Sequence, residues 1–346
     1  MFRGEIPARS LDINGDVSFF RGLGFSVEEI FPADAPARAV VNGHGVRLHL
    51  RPDAEPVSLR LVGVNLMDPA VQVSPGGTRV AIEPRAVEPV APPLCSELVV
   101  SRLDPNEAPH AGRAGMRYRD LIPGRQGNCV IASLISIPHA GPVNDWVHFH
   151  EIRFQLIFVK SGWVRVVYED QGEPFVMQAG DCVIQPPTIR HRVLENSDNL
   201  EVVEIGYPAE HVTRADSELQ LPNGTGDPSR TWSGQTFIRH HEASAQWREI
   251  APGVMITDTG VHGATQGLAA VDVIRSTGSV SLDEIEVPDG MFEFLVVLEG
   301  RLTVKTTSRS ESLDSGESIV LPVGHAYSVD LADSSRLLRV RIDTLR

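Results

Sequence analysis

A chain of 346 residues can hold two or three domains with sizeable cores, and a formal net charge of −14 without any basic block argues against nucleic acid or an anionic membrane as partner. Twenty-five prolines and thirty glycines among short apolar runs favour many strands and turns over long helices. No apolar run is long enough to span a bilayer, and residues 1–10 have no apolar stretch of the kind a secretory leader needs. Three scattered cysteines, Cys95, Cys129 and Cys182, read as thiols of a reducing compartment, so a cytoplasmic protein with a small-molecule substrate is expected.

In chain order, Val17, Phe20 and Leu23 have helical spacing over 12–23, with Asp12 or Asn14 as cap and Gly22 and Gly24 as stop. A strand follows at 26–30. Residues 38–41 and 46–50 flank Asn42-Gly43-His44-Gly45, a strong hairpin signal, and further strands fit 57–62 and 78–82. This gives a small α+β module over 1–84, then a proline-rich linker over 85–112. A strand-rich segment spans 113–222, a polar, glycine-rich linker 223–236, and a second strand-rich segment 237–346.

The two strand-rich segments repeat each other. FQLIFVKSGWVRV answers FEFLVVLEGRLTV, and GDCVIQPPTIRH answers GESIVLPVGHAY. Aligning Gly162 with Gly300 sets Gln155 on Glu293, Pro186 on Pro322 and His191 on Tyr327. Antiparallel strands repeated in this way suit a double-sheet jelly roll.

His148 and His150 are two apart on one strand and project to the same side, while Phe149 points away. Gln155, Gly162, Gly180, Pro186 and His191 follow. Three imidazoles and an amide within reach of one point are a divalent-metal pattern, more often catalytic than structural when one side stays open. The pattern resembles the cupin superfamily, whose motifs are HxH-Glu-Gly and Gly-Pro-Gly-His. Gln155 stands where Glu is usual, and Thr188 where Gly is usual. The resemblance implies a mainly β protein of two cupin jelly-roll barrels, a bicupin, preceded by the small module. Its metal ligands would be His148, His150, His191 and Gln155.

Counting back from Glu293 places Glu286 and Pro288 at the histidine positions of the second copy, so no metal site is expected there. The first module resembles, through SFFRGLGFSVEEIFPAD and ARAVVNGHGVRLHL, one βαβββ unit of the vicinal oxygen chelate superfamily, used for packing or dimerisation. A homodimer is the expected assembly.

Three neutral imidazoles leave a divalent metal its full charge, which attracts anionic chelating substrates. Iron(II) would support dioxygenase chemistry on a small anionic aromatic or enolisable substrate. Zinc, nickel or manganese would support redox-neutral isomerase, lyase or hydrolase chemistry, and a non-catalytic ligand-binding or regulatory protein is the third reading. Gln155 cannot serve as a base, so it is either a fourth ligand or a group that orients a water or a histidine. Arg153, on the same side as Gln155 by alternation, either pairs with a substrate carboxylate or makes a surface salt bridge. Gln185 is a candidate for the barrel mouth, Trp146 for a lid or the core. Glu151, His139, His240, His241 and His262 are expected to be ordinary surface or loop groups.

Overall fold

The computed structural model describes residues 4–63, 70–84, 89–104, 108–227 and 229–345. They form two compact units, 1–87 and 88–346. Positions 85–88 of the expected first linker lie outside the described residues.

The first unit runs strand Ile6–Arg9, helix Ile13–Gly22, then strands Ser26–Phe31, Arg38–Gly43 and Val46–Arg51. Asp12 caps the helix by accepting from the Gly15 amide at 2.9 Å, which satisfies one of its free N–H groups. The two-residue hairpin loop, His44-Gly45, has φ of 53° and 76°, the doubly left-handed turn that matches strand twist. His44 Nε2 lies 2.7 Å from the Leu23 carbonyl oxygen, which ties the helix end to this turn. Phe20, Phe25, Val41, Leu48 and Leu50 fill the core between helix and sheet. Strands Ser58–Gly63, Ala70–Val73 and Arg79–Pro84 form a separate sheet. The strands Ile6–Arg9 and Ala70–Val73 are only four residues long, too short for a clear alternation, and their pairing makes them visible.

The second unit contains two jelly-roll barrels, each of two sheets. In the first barrel one sheet runs in the order Arg239–His240, Cys182–Ile184, Phe154–Ser161, Leu200–Tyr207, Ile131–Ile137, Arg117–Asp120, His110–Ala111. Opposite it lie Phe175–Gln178, Trp163–Tyr168, His191–Asn196, His148–Glu151 and Val212–Ala215. The second barrel pairs a seven-stranded sheet, from Arg248–Ala251 to Val99–Ser101, with a four-stranded one containing Val280–Glu286 and Ala326–Leu331.

Alternation decides what each face touches. Phe154, Leu156 and Phe158 share one core with Val271, Phe292, Phe294 and Val340, so the large sheets of the two barrels pack against each other. The intervening positions point into the barrels: Val159 and Val202 in the first, Leu295 and Val297 in the second.

The linker boundaries need correction. Within 85–112, Val99–Ser101 is an edge strand on Ser318–Leu321 of the second barrel, and His110–Ala111 is an edge strand of the first. Within 223–236, Thr231–Trp232 and Gln235–Thr236 form a hairpin whose Trp232 is buried in the core of the first barrel. Arg239–His240, on the far side of that linker, pairs with Cys182–Ile184. Each barrel thus borrows an edge strand from sequence next to the other, which covers edges that would otherwise remain unpaired. Composition flags these stretches as polar or proline-rich, but it does not reveal their pairing.

Among the described residues no helix is long and apolar enough to cross a membrane. All three cysteines are free, with Cys95 exposed and the other two buried. Burial raises the Cys129 thiol pKa to about 11, which makes it an inert core group.

Candidate metal centre

The strand register assembles the centre. His148 lies directly opposite His191, and His150 is two residues farther along the same face. All three side chains are buried, and each offers a ring nitrogen such that the three atoms lie within 4.8 Å of one another. The rings of His148 and His191 are 4.2 Å apart between centroids, and His150 is 5.3 Å from the first and 5.4 Å from the second.

Each imidazole is held from outside through Nδ1. His148 Nδ1 is 2.8 Å from the Trp146 carbonyl oxygen, and His191 Nδ1 is 3.1 Å from that of Ile189. Both carbonyls can only accept, so Nδ1 carries the proton and Nε2 keeps its lone pair. His150 Nδ1 lies 2.9 Å from Thr213 Oγ1, a hydroxyl able to accept the same proton. Burial lowers the pKa of all three; for His150 it falls to about 2, with His148, His211 and Arg113 adding repulsion. The cup therefore presents neutral imidazoles near neutral pH.

Arg113 reaches this cup from the short turn Arg113–Gly115, between the strands His110–Ala111 and Arg117–Asp120. Its Nη2 lies 2.7 Å from His148 Nε2, and its Nη1 is ion-paired with Asp145, whose carboxylate is fully buried. Asp145 Oδ2 also accepts from the Val193 amide at 3.0 Å, so the carboxylate is fixed to the histidine strand. Trp146, 46% exposed, has its ring 5.4 Å from the Arg113 guanidinium carbon.

A cavity of about 70 Å³ adjoins the cup, with Arg113, His150, His191, Tyr168, Gln185 and Glu204 among its polar lining. Gln155 is buried beside it. Its Nε2 donates to Glu204 Oε1 at 2.7 Å, while its Oε1 is buried with no hydrogen-bond partner. The ion–amide bond thus sets the amide orientation and leaves the carbonyl oxygen available. Gln185 donates to the Tyr168 hydroxyl at 2.8 Å, and the Tyr168 ring stacks on His191.

Arg153 does not line this cavity. Its guanidinium sits 5.2 Å from the Tyr207 ring and donates to the Tyr207 hydroxyl at 3.2 Å, because the turn at Ile152–Arg153 breaks the alternation. Glu151 pairs with Arg214 at 2.6 Å and faces away, as alternation requires. His240 and His241 lie near Glu242 and Asp181, away from the cup. Thr188 occupies the glycine place with φ of 67°, and its amide donates to the His150 carbonyl at 3.0 Å.

Five groups at the centre escaped the sequence reading: Arg113, Asp145, Glu204, Thr213 and His211, whose ring is 5.3 Å from that of His150. Glu204 carried a usable signal, since by alternation it shares the inward face of its strand with Leu200 and Val202, whereas Glu201 is on the other face. Arg113 precedes any periodic pattern and carried none.

In the second barrel the counterparts shift by one residue from those obtained by counting. Tyr327, at the place of His191, pairs with Ile285, and the Gly324 amide donates to the Val287 carbonyl as Thr188 does to His150. The turn after Val287 causes the offset, because Val287 stands six residues before Glu293 whereas His150 stands five before Gln155. Ile285 and Val287, not Glu286 and Pro288, thus stand where the first barrel has His148 and His150. Neither can bind a metal.

The donor set of the first barrel fits a divalent first-row metal. It offers three neutral imidazoles with anchored outer nitrogens, and a buried amide oxygen without a donor. A sequence profile described as the cupin domain matches residues 135–206, which include all three histidines. This chain carries a cupin domain. The salicylate 1,2-dioxygenase of Pseudaminobacter salicylatoxidans is similar to this chain with a TM-score of 0.55 at 16% identity, over 74% of this chain and 87% of the dioxygenase. The same enzyme as its adduct with gentisate gives 0.52 at 16%, over 74% and 84%. The coconut allergen cocosin gives 0.54 at 10% identity, over 72% and 87%. No curated protein matches the chain in sequence. An enzyme and an allergen score alike, so these similarities establish the two-barrel cupin fold and leave the chemistry to the site.

Proposed function

We propose that this chain is a metal-dependent cupin dioxygenase that uses iron(II) and acts on a small anionic aromatic substrate of the hydroxybenzoate class. The observation that carries the reading is the buried convergence of His148, His150 and His191 as neutral donors within 4.8 Å. Salicylate and gentisate, named for the similar dioxygenase, support a hydroxybenzoate as the class to test. Bound iron(II) would supply redox chemistry with dioxygen, whereas zinc, nickel or manganese would supply Lewis-acid chemistry alone.

The chain's own residues divide the remaining work. His148, His150 and His191 would hold the metal, with Gln155 Oε1 as the fourth donor. Gln155 cannot take up a proton, which disfavours isomerisation or hydrolysis that needs a base there. Glu204 keeps the Gln155 amide turned with its oxygen free. Arg113, rather than Arg153, is the cation for a substrate carboxylate, and Asp145 keeps its guanidinium at the cup. A cavity of about 70 Å³ is smaller than the ~150 Å³ that takes benzene, so Arg113 must release His148 to admit an aromatic acid.

That same Arg113–His148 hydrogen bond favours a second reading, a non-catalytic binder in which the guanidinium keeps the place of the metal. Oxygen uptake by iron-loaded protein with salicylate, gentisate and related hydroxybenzoates separates the two. Uptake that depends on one of these acids supports the dioxygenase. No uptake with any of them, in protein proven to hold iron, refutes it.

A further inference from the structure

The second barrel has lost the imidazoles but not the space. It encloses a cavity of about 240 Å³, against about 70 Å³ in the first barrel. Leu282, Leu295, Val329 and Leu331 supply apolar walls, and Ile250 and Asp283 stand on its exposed side. Tyr327 and Arg339 are the polar side chains that reach its buried part. The register gives their origin. Arg339 lies opposite Leu295 as Glu204 lies opposite Ile157, and Tyr327 takes the place of His191. The cavity therefore occupies the position in its barrel that the histidine cup occupies in the other.

Its charges are already matched. Arg339 and Arg341 both pair with Asp272, at 2.7 and 3.1 Å, and the Tyr327 hydroxyl donates to Glu293 at 2.5 Å. Two guanidinium groups face two carboxylates, and Asp283 adds a negative charge at the rim. An anion gains nothing there. The Tyr327 oxygen, having donated its proton, still has lone pairs for a donor from the cavity side. Since ~150 Å³ takes benzene, about 240 Å³ suits a bicyclic or substituted ring.

We propose that the second barrel is a binding site for a small uncharged aromatic molecule, its ring among Leu282, Leu295 and Leu331 and its hydroxyl donating to Tyr327. This site is independent of the metal reading of the first barrel.

Calorimetry on the full chain with 2-naphthol and 2-naphthoate, together with crystals grown with 6-bromo-2-naphthol, tests the proposal. The expected result is saturable one-to-one binding of the naphthol, with the naphthoate about tenfold weaker or worse. Bromine should appear, by anomalous scattering, between Leu282 and Leu331. Leu282→Trp, which fills the cavity, should weaken the naphthol by about tenfold or more, and His191→Ala should leave it unchanged. Absence of saturable binding, equal binding of the naphthoate, or bromine only in the histidine cup overturns the proposal. Should Leu282→Trp fail to fold, the bromine position alone decides.

Discussion

Thr213→Val probes the outer support of the centre with little disturbance of the fold. Thr213 lies on the edge strand Val212–Ala215, opposite His150, and its side chain is exposed. Valine keeps the shape and strand preference of threonine but removes the hydroxyl that lies 2.9 Å from His150 Nδ1. An exposed strand substitution of this kind should alter folding stability by no more than about 0.5 kcal/mol. The metal should respond more strongly. Without Thr213 the His150 ring loses the bond that fixes its tautomer and rotation, and such partners are worth about 10- to 100-fold in metal affinity. That corresponds to about 1.4–2.7 kcal/mol. Competition against a chromophoric chelator reads the affinity directly, and Thr213→Ser, which restores the hydroxyl, should recover most of it. Affinity of Thr213→Val within twofold of wild type would show that His150 is not held through Nδ1, or that it does not ligate.

Arg113→Gln should raise KM for a hydroxybenzoate by about tenfold or more, with a smaller effect on an uncharged phenol, because a charge-assisted contact of about 1.5–3 kcal/mol is lost; steady-state oxygen uptake with both substrates checks this. Thr188→Gly should stabilise the protein by about 1 kcal/mol in urea denaturation, since a β-branched residue at φ of 67° gives way to one without a Cβ. Metal-stripped protein should lose stability as pH falls below about 6.5. The folded His150 stays neutral down to about 2, whereas the unfolded imidazole takes a proton near 6.5, so acid favours the unfolded chain. At pH 5 His150 alone costs about 2 kcal/mol, and His148 and His191 act in the same direction; a denaturation series from pH 7.5 to about 5 reads the slope.

The barrels and the three histidines were legible because their signals are local. The HxH alternation, the glycine turns and the repeat all follow from strand period and backbone conformation, and the structure brings His148, His150 and His191 together as that spacing implies. Alternation also turns Gln155 into the barrel, where it is buried, but it does not give the amide's orientation, because Glu204 lies on a strand almost fifty residues away. Arg153 was assigned to the site by an alternation that the Ile152–Arg153 turn interrupts. Arg113 supplies the nearby cation instead, from sequence with no period at all. The one-residue offset at Ile285 has the same character, for the extra residue in the turn between Val287 and Glu293 shows only in the strand pairing. The exchanged edge strands Val99–Ser101 and Arg239–His240 are only three and two residues long, and pairing rather than propensity makes them strands.

The central claim is that the three imidazoles hold one metal ion. Elemental analysis of the full chain, loaded with iron(II) without oxygen and then desalted, tests it most directly beside His148→Ala and His191→Ala. One ion per chain in the wild type and close to none in either folded variant is the predicted result. Equal metal content in all three proteins would contradict the assignment.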